Sequence, residues 1–541
     1  MVIDNKLFNK YKIYIIYMKF MNELTYENYI KRNQEDIFHT KFDNAVESLT
    51  KEFNNEDYPV IINNEKIYTR DKYQHISPVD RRIKLGYVSK ISDRLLKEAI
   101  DSSFQSFKEW SILEYQKRIR ILKNSANTIR SNKFQLAALL TFENGKNRYE
   151  SISDIDEAID FINYYCSDMI KNDGYVTKNT SIERTQKNIS IMKPYGVWAI
   201  ISPFNFPAAI FVGMNIGAII TGNTAVAKPA TNTPIIGYKI VEIMIKSGLP
   251  PGVLNYITGD AVKIGKTIIK SKKISGIVFT GSKDVGYTLY KKSANVKSRP
   301  IIAELGGKNP TIVTETADLN RAAEGVSRAA FSYGGQKCSA CSRVYVHKNV
   351  KKQFIERLIS NVTKINIENS DKRNCDLGPL INSDAFLNFK KYVDIASHEG
   401  KILYGGKIMN DGELKYGYYV TPTIVEGVPF DNVLLKKELF LPLLCINEFN
   451  QFAEALNLCN KSEYGLTAAI YSKDKKEIDD FVNNIESGVV YVNRHKSSTT
   501  GALVGNQSFG GWKNSGISGK GTGGKYYLTQ FMREQSQTIV E

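Results

Sequence analysis

From Gly196 to Ala227 the chain carries no charged residue, so nearly all of that stretch must leave water. A single membrane-spanning helix is the first structure to consider. Pro203 and Pro207 break its first half, and Asn205, Asn215 and Asn223 are scattered through it, which excludes that reading. The stretch divides instead into a strand at 196–201, a turn, and a helix at 207–221, with Pro207 suited to the first helical turn and Gly222 to its end. The alternation then continues with a strand at 224–228, a helix at 234–247 closed by Gly248, a strand at 253–257, a helix at 261–270 and a strand at 275–280. Strands alternating with helices of this length predict an α/β fold around a parallel sheet covered on both faces. Such sheets bind ligands at the carboxyl ends of their strands. Those ends carry Asn205, Lys228, and Thr280 with Gly281 and Ser282.

The flanking chain is read the same way. A helical lead-in is expected at 44–53, β-like segments at 58–88, amphipathic helices at 92–110 and 116–143 with Gly145 ending the second, another helix at 153–170, and a hairpin at 177–192. Beyond Pro300 the elements restart with IIAELGG, a strand at 311–313 and a helix at 318–333. A second α/β unit then runs to about residue 490.

At 541 residues the chain should form more than one domain. Six scattered cysteines make no disulfide framework and point to a reducing compartment. No secretory signal is evident, residues 11–20 are too short and too broken by lysine to anchor in a membrane, and Met18 or Met21 could serve as the start. A net charge of +17 invites a nucleic-acid reading, but the lysines are dispersed rather than gathered with aromatics. The charge would instead gather anionic substrates and cofactors. Gly519, Gly521 and Gly524 with Lys525 imitate a nucleotide loop. No strand precedes them, and Tyr526 stands where a hydroxyl should hold magnesium, so that reading fails.

The stretch Gly334 to Arg343, GGQKCSACSR, flanks Cys338 with small residues that would let a flat substrate reach the sulfur. It reads as a nucleophile loop, and a thiolate there calls for an electropositive, partly open setting with a base nearby. Two other readings stand beside it: an ordinary buried cysteine, and a Cys338/Cys341 metal or redox pair. The second lacks another C-x-x-C and any histidine at ligand spacing, so no metal is expected. Glu304 is followed by two glycines that leave its carboxylate on an open backbone; a surface glutamate is the alternative.

Taken together, SPFNFP around Asn205, KPA at Lys228, FTGS at Phe279 to Ser282, ELGGKNP at Glu304, GQKCSACSR, and E-x-F-x-P at Glu438 and Phe440 resemble the aldehyde dehydrogenase superfamily, in this order and across most of the chain. Within it, Asn493 and Arg494, TGALVG at Thr500 to Gly505, and FGG at Phe509 to Gly511 resemble the branch that oxidises L-glutamate 5-semialdehyde, the open form of 1-pyrroline-5-carboxylate.

The resemblance implies that Cys338 attacks the aldehyde, that Asn205 and the Cys338 N–H hold the oxyanion, and that Glu304 is general base for thioester hydrolysis. It implies NAD as cofactor, with Lys228 on the adenosine ribose, Gly281, Ser282 and Gly286 near the pyrophosphate, Glu438 and Phe440 at the nicotinamide ribose, and Phe204 beside the phosphates. Thr231 stands where NAD-specific members often carry glutamate, which leaves NADP open as well. For the substrate it implies Ser339, Gly501 and Ala502 around the α-carboxylate, Phe206 and Phe509 along the aliphatic part, and Glu143 toward the ammonium. Leu441 replaces the usual glycine of E-x-F-G-P, and Ser497 to Thr499 lengthen the loop before Gly501.

The expected organisation is a discontinuous Rossmann-type cofactor domain (22–172 and 193–302), a catalytic domain (303–490), a β oligomerisation arm (173–192 and 517–541) and an N-terminal extension (1–21). The arm's open edge needs a partner, so a cytoplasmic homo-oligomer, a dimer or larger, is expected. No nucleic-acid or membrane partner is. A dehydrogenase for another semialdehyde, such as succinic, is the rival reading.

Overall fold

The computed structural model describes residues 25–53 and 56–541; the N-terminal extension and its candidate start methionines lie outside them. The uncharged stretch resolves into the strand Val197–Ile201, a turn, the helix Ala209–Ile220 and the strand Thr224–Lys228. Among the described residues no helix is long and apolar enough to cross a membrane.

These strands belong to a seven-stranded sheet. Its order runs Ile301–Glu304, Ile274–Thr280, Val197–Ile201, Thr224–Lys228, Leu254–Tyr256, then the antiparallel edge Val60–Ile62 and Glu65–Ile67. From Val197–Ile201 the chain adds two strands on one side and then returns to add two on the other. The order therefore reverses between Val197–Ile201 and Ile274–Thr280, and a crevice opens there at the carboxyl ends. The helix Asp93–Ile112 packs through Leu96, Ala99 and Ile100 onto one face, while Ala209–Ile220 and Pro234–Lys246 bury the other. The strands read as near-continuous Val/Ile/Ala runs because both faces are covered.

A second seven-stranded sheet runs from Asn309–Val313 to Val489–Val492 and is parallel except at its Lys401–Tyr404 edge. Leu305 to Lys308 connect the two sheets directly, since Ile301–Glu304 pairs with Ile274–Thr280 and Asn309–Val313 with Cys341–His347. A third sheet pairs Gln186–Pro194 antiparallel with both Val176–Asn179 and Met532–Val540.

Two helical expectations are corrected. The lead-in helix is Glu35–Thr50, which buries Phe38 and Phe42. The stretch 116–143 is two helices, Tyr115–Ser131 and Lys133–Asn144, parted at Asn132. There the side-chain amide donates to the Thr128 carbonyl, an internal bond that competes with continued helix. Gly145 closes the second helix at φ +79°, a left-handed geometry that suits glycine.

Candidate active site

Strand pairing brings the chemistry together. Glu304 ends its strand beside Thr280, and its carboxylate accepts from the Gly511 N–H at 3.2 Å. Cys338 follows a tight turn through Tyr333 to Gly335 and precedes the strand Cys341–His347. Its carbonyl accepts from the Asn309 amide at 2.7 Å, and a Cβ on Gly307 would collide with that carbonyl. The Glu304 hinge and the nucleophile turn thus pack against each other.

Cys338 and Glu304 open onto one cavity of about 970 Å³, its mouth included. Ser339, Gly501, Ala502, Phe206 and Phe509 line the same cavity. The Gly519 to Gly524 stretch, which imitates a nucleotide loop in sequence, supports this wall. Phe509 and Thr522 exchange two backbone hydrogen bonds at 2.9 and 2.7 Å, and a Cβ on Gly521 would lie 2.8 Å from the Phe509 backbone.

Asn205 is buried at 3% exposure between Phe204 and Phe206. Its loop is braced from below. Asp154 accepts from the Ala209 N–H at 2.8 Å and from Lys146 at 2.8 Å, and the Lys146 ammonium lies 3.9 Å from the Phe206 ring centroid. No protein hydrogen bond occupies the Asn205 amide among the described residues, but Asn205 itself is not among the residues lining the cavity, which its neighbour Phe206 reaches.

The electrostatics correct one expectation. Cys338 is not in an electropositive setting: burial pushes its thiol well above the usual range, and the Glu438 and Glu304 carboxyls push it further. Burial also drives Glu304 well above the carboxyl range, against the lowering effect of the Gly511 N–H. Glu438 rises to about 7 for the same reason. Both reacting groups keep surface toward the cavity but are ringed by protein, so desolvation decides. Burial thus disfavours the thiolate and the carboxylate alike, and a bound positive charge or rising pH favours both.

A nicotinamide dinucleotide suits the crevice between the two reversing strands. Gly281 and Ser282 lead into the helix Lys283–Ala294, whose first turn has no side-chain cap, leaving N–H groups and the positive helix end for phosphate. Gly286 lets that helix close on Leu305, with which any Cβ would collide. Lys228 ends its strand buried, its ammonium lowered to about 8 by burial and donating to the Pro229 carbonyl at 3.0 Å. Glu438 accepts from the Gly307 N–H at 2.8 Å and lies against the bare Cα of Gly306. Phe440, held at φ +60°, meets Phe204 edge to face at 5.7 Å between centroids. Leu441 keeps its carbonyl against Gly335, so the E-x-F-x-P turn closes without the missing glycine.

The model of the aldehyde dehydrogenase family matches residues 67–537. The chain belongs to the aldehyde dehydrogenase family. It is 37% identical over 506 residues to 1-pyrroline-5-carboxylate dehydrogenase 1 of Halalkalibacterium halodurans, covering 92% of this chain and 96% of that one. It is 36% identical over 521 residues to 1-pyrroline-5-carboxylate dehydrogenase 2 of Bacillus subtilis, covering 95% and 98%. The solved structure of 1-pyrroline-5-carboxylate dehydrogenase from Thermus with bound NAD superposes with a TM-score of 0.88 at 33% identity, covering 93% and 96%.

One substrate residue assigned from the resemblance does not belong to the aldehyde dehydrogenase cavity. Glu143 is fully buried elsewhere, accepting from the Ile235 and Ile236 N–H groups at 2.6 and 2.9 Å. Both oxygens hold the first turn of the helix Pro234–Lys246 and one also faces His75 Nε2 at 3.2 Å, and with no exposed surface the carboxylate is out of reach of a substrate ammonium. The carboxyls that do line the cavity are Glu304 and Glu157. Burial raises Glu157 to about 8, assisted by neighbouring Asp154. Sequence reading missed it because one acid in DIDEAID resembles any solvated helix position. The helix Arg148–Lys171 that carries it is buried along most of its length, Asp154, Asp156 and Asp168 included, which its mixed polar and apolar sequence does not announce.

Proposed function

We propose that this enzyme oxidises L-glutamate 5-semialdehyde, in equilibrium with 1-pyrroline-5-carboxylate, to L-glutamate, using NAD and with NADP as a second cofactor. The observation that carries the reading is the pairing of two recognition features in one cavity with Cys338: a glycine-rich wall at Ser339, Gly501 and Ala502, and the carboxyl of Glu157. The first suits an α-carboxylate held by N–H and hydroxyl groups, and among the described residues no lysine or arginine lines the cavity to do it instead. The second suits an ammonium. An amino-acid aldehyde satisfies both; succinic semialdehyde has no ammonium for Glu157 and pairs less well.

In this mechanism the Cys338 thiol releases its proton to water in the open cavity, the thiolate sulfur attacks the aldehyde carbon, and the Asn205 amide and Cys338 N–H hold the resulting oxyanion. Bound nicotinamide supplies a hydride acceptor and a positive ring charge. Loss of hydride from the thiohemiacetal carbon leaves a thioester on Cys338. Glu304, ionised, takes a proton from the water that attacks it, releasing the acid and restoring the thiol. Phe206 and Phe509 keep other water from the chain of the substrate. The role of Lys146 and Asp154 is to fix the loop from which Asn205 and Phe206 project.

We also infer a cytoplasmic homo-oligomer of two or more copies, assembled through the sheet of Gln186–Pro194, Val176–Asn179 and Met532–Val540, whose outer strands offer free edges. The domain boundaries read from the sequence remain the proposal, with the first domain carried to Glu304 and the second to Val492. The deciding experiment is steady-state oxidation of pyrroline-5-carboxylate with each nicotinamide in turn, beside succinic semialdehyde. A preference for succinic semialdehyde would sink the substrate reading.

A further inference from the structure

The two peptide units around Gly501 are gripped from one side. Arg494 donates from Nη1 to the Thr500 carbonyl at 2.6 Å and from Nη2 to the Gly501 carbonyl at 2.5 Å. In a trans peptide the C=O and N–H of one unit point in opposite directions, and no described peptide bond is cis. The Thr500 carbonyl shares its unit with the Gly501 N–H, and the Gly501 carbonyl with the Ala502 N–H. Fixing both oxygens on one guanidinium therefore turns both N–H groups away from it. Gly501 and Ala502 lie on the cavity wall, and neither N–H donates to a protein acceptor among the described residues.

The grip is itself held in place. The Arg494 guanidinium lies 4.6 Å from the Tyr491 ring centroid, and the Arg494 carbonyl accepts from the Tyr471 hydroxyl at 2.9 Å. Ser497 adds a second donor to the Thr500 carbonyl at 2.9 Å. Thr499 donates to the Ser339 carbonyl at 2.6 Å, which ties this loop to the nucleophile turn. Gly501 stands at φ +90°, and a Cβ there would sit 3.1 Å from Nη2, so glycine and arginine are needed together.

We propose that Arg494 is the positioning residue that sets selectivity for aldehydes bearing a carboxylate. It acts without touching the substrate, by aiming two N–H donors at the carboxylate and placing a positive charge behind their dipoles. This rests on the substrate reading above.

The test compares kcat/KM for L-glutamate 5-semialdehyde with that for hexanal, which has no carboxylate, in the wild type, Arg494→Lys and Arg494→Met. Hydrogen bonds to a charged group are worth about 1.5–3 kcal/mol, or roughly tenfold to hundredfold in affinity. The ratio of the two constants is expected to fall by about that factor in Arg494→Met, mainly through KM, and by less in Arg494→Lys. Competitive inhibition by L-glutamate should weaken in step. A parallel fall for both aldehydes means a merely structural residue and overturns the proposal. So does an unchanged ratio in either variant, and Arg494→Lys carries the test if Arg494→Met does not fold. A wild type that favours hexanal would overturn the substrate reading instead, which keeps the two failures apart.

Discussion

Replacing Glu143 by alanine should destabilise the protein and leave its substrate preference alone, whereas replacing Glu157 by glutamine should do the reverse. Glu143 is fully buried and accepts from two consecutive N–H groups at the start of a helix. Each charge-assisted bond is worth about 1.5–3 kcal/mol, and alanine leaves two buried donors unpaired. A loss of roughly 4 kcal/mol follows after partial relaxation. Unfolding entropy near 2.1 cal/mol/K per residue gives about 1.1 kcal/mol/K for 541 residues unfolding as one unit. The expected drop in thermal midpoint is therefore about 4 °C for Glu143→Ala, and about half that for Glu143→Gln, which keeps one acceptor. Calorimetry at fixed scan rate reads this, and steady-state kinetics read the other half. Glu157→Gln should raise KM for L-glutamate 5-semialdehyde by about tenfold to hundredfold, the range of one charged hydrogen bond, with a midpoint at or above wild type. The reasoning is refuted if Glu143→Gln raises KM as much as Glu157→Gln does, or if Glu143→Ala melts with the wild type.

Three further outcomes are expected. Glu304→Gln should release about one equivalent of reduced cofactor per site in a rapid burst and then slow by a factor on the order of 10² to 10⁴; full steady-state turnover would remove Glu304 from the base role. Gly306→Ala should push Glu438 off its seat, since the new Cβ meets the carboxylate, and raise KM for NAD with the aldehyde KM little changed. Glu438 and Glu157 have folded values of about 7 and about 8, above the ordinary glutamate value near 4.3. The native state thus binds protons that the unfolded chain has released, so the stability they confer is full below about pH 4 and is lost as pH rises through about 7 to 8. Thermal midpoints of the cofactor-free enzyme should fall across that window, and a Glu157→Gln variant that falls as steeply would contradict the assignment.

Much of this was legible before any coordinates. The strand at 224–228 and the helix at 261–270 were read to the residue, because the strand's apolar centre at Ala225 to Ala227 is bounded by Gly222 and Pro229 and the helix shows the 3.6-residue period. Cys338, Glu304, Ser339, Gly501, Ala502, Phe206 and Phe509 do share a cavity. What stayed hidden depends on pairing across long separations. Glu143 reads as a polar helix end until the helix Pro234–Lys246 arrives to take its oxygens, nearly a hundred positions later. Asn132 breaks a helix by a local side-chain bond that periodicity does not register. The resemblance grouped Glu304 and Glu438 with Cys338, but not the depth of burial that decides the charge around the sulfur, which depends on packing from separate strands and turns.

The four-residue link from Leu305 to Lys308 also sets a tolerance. The base hangs from the last strand of one sheet while the nucleophile turn leans on the first strand of the next, so the gap between carboxylate and sulfur is a fixed span of backbone rather than a loop's choice. Inserting a single residue there would shift one reacting group against the other by up to about 3.5 Å, more than a water molecule's width, and both sheets could fold intact around an enzyme that no longer turns over.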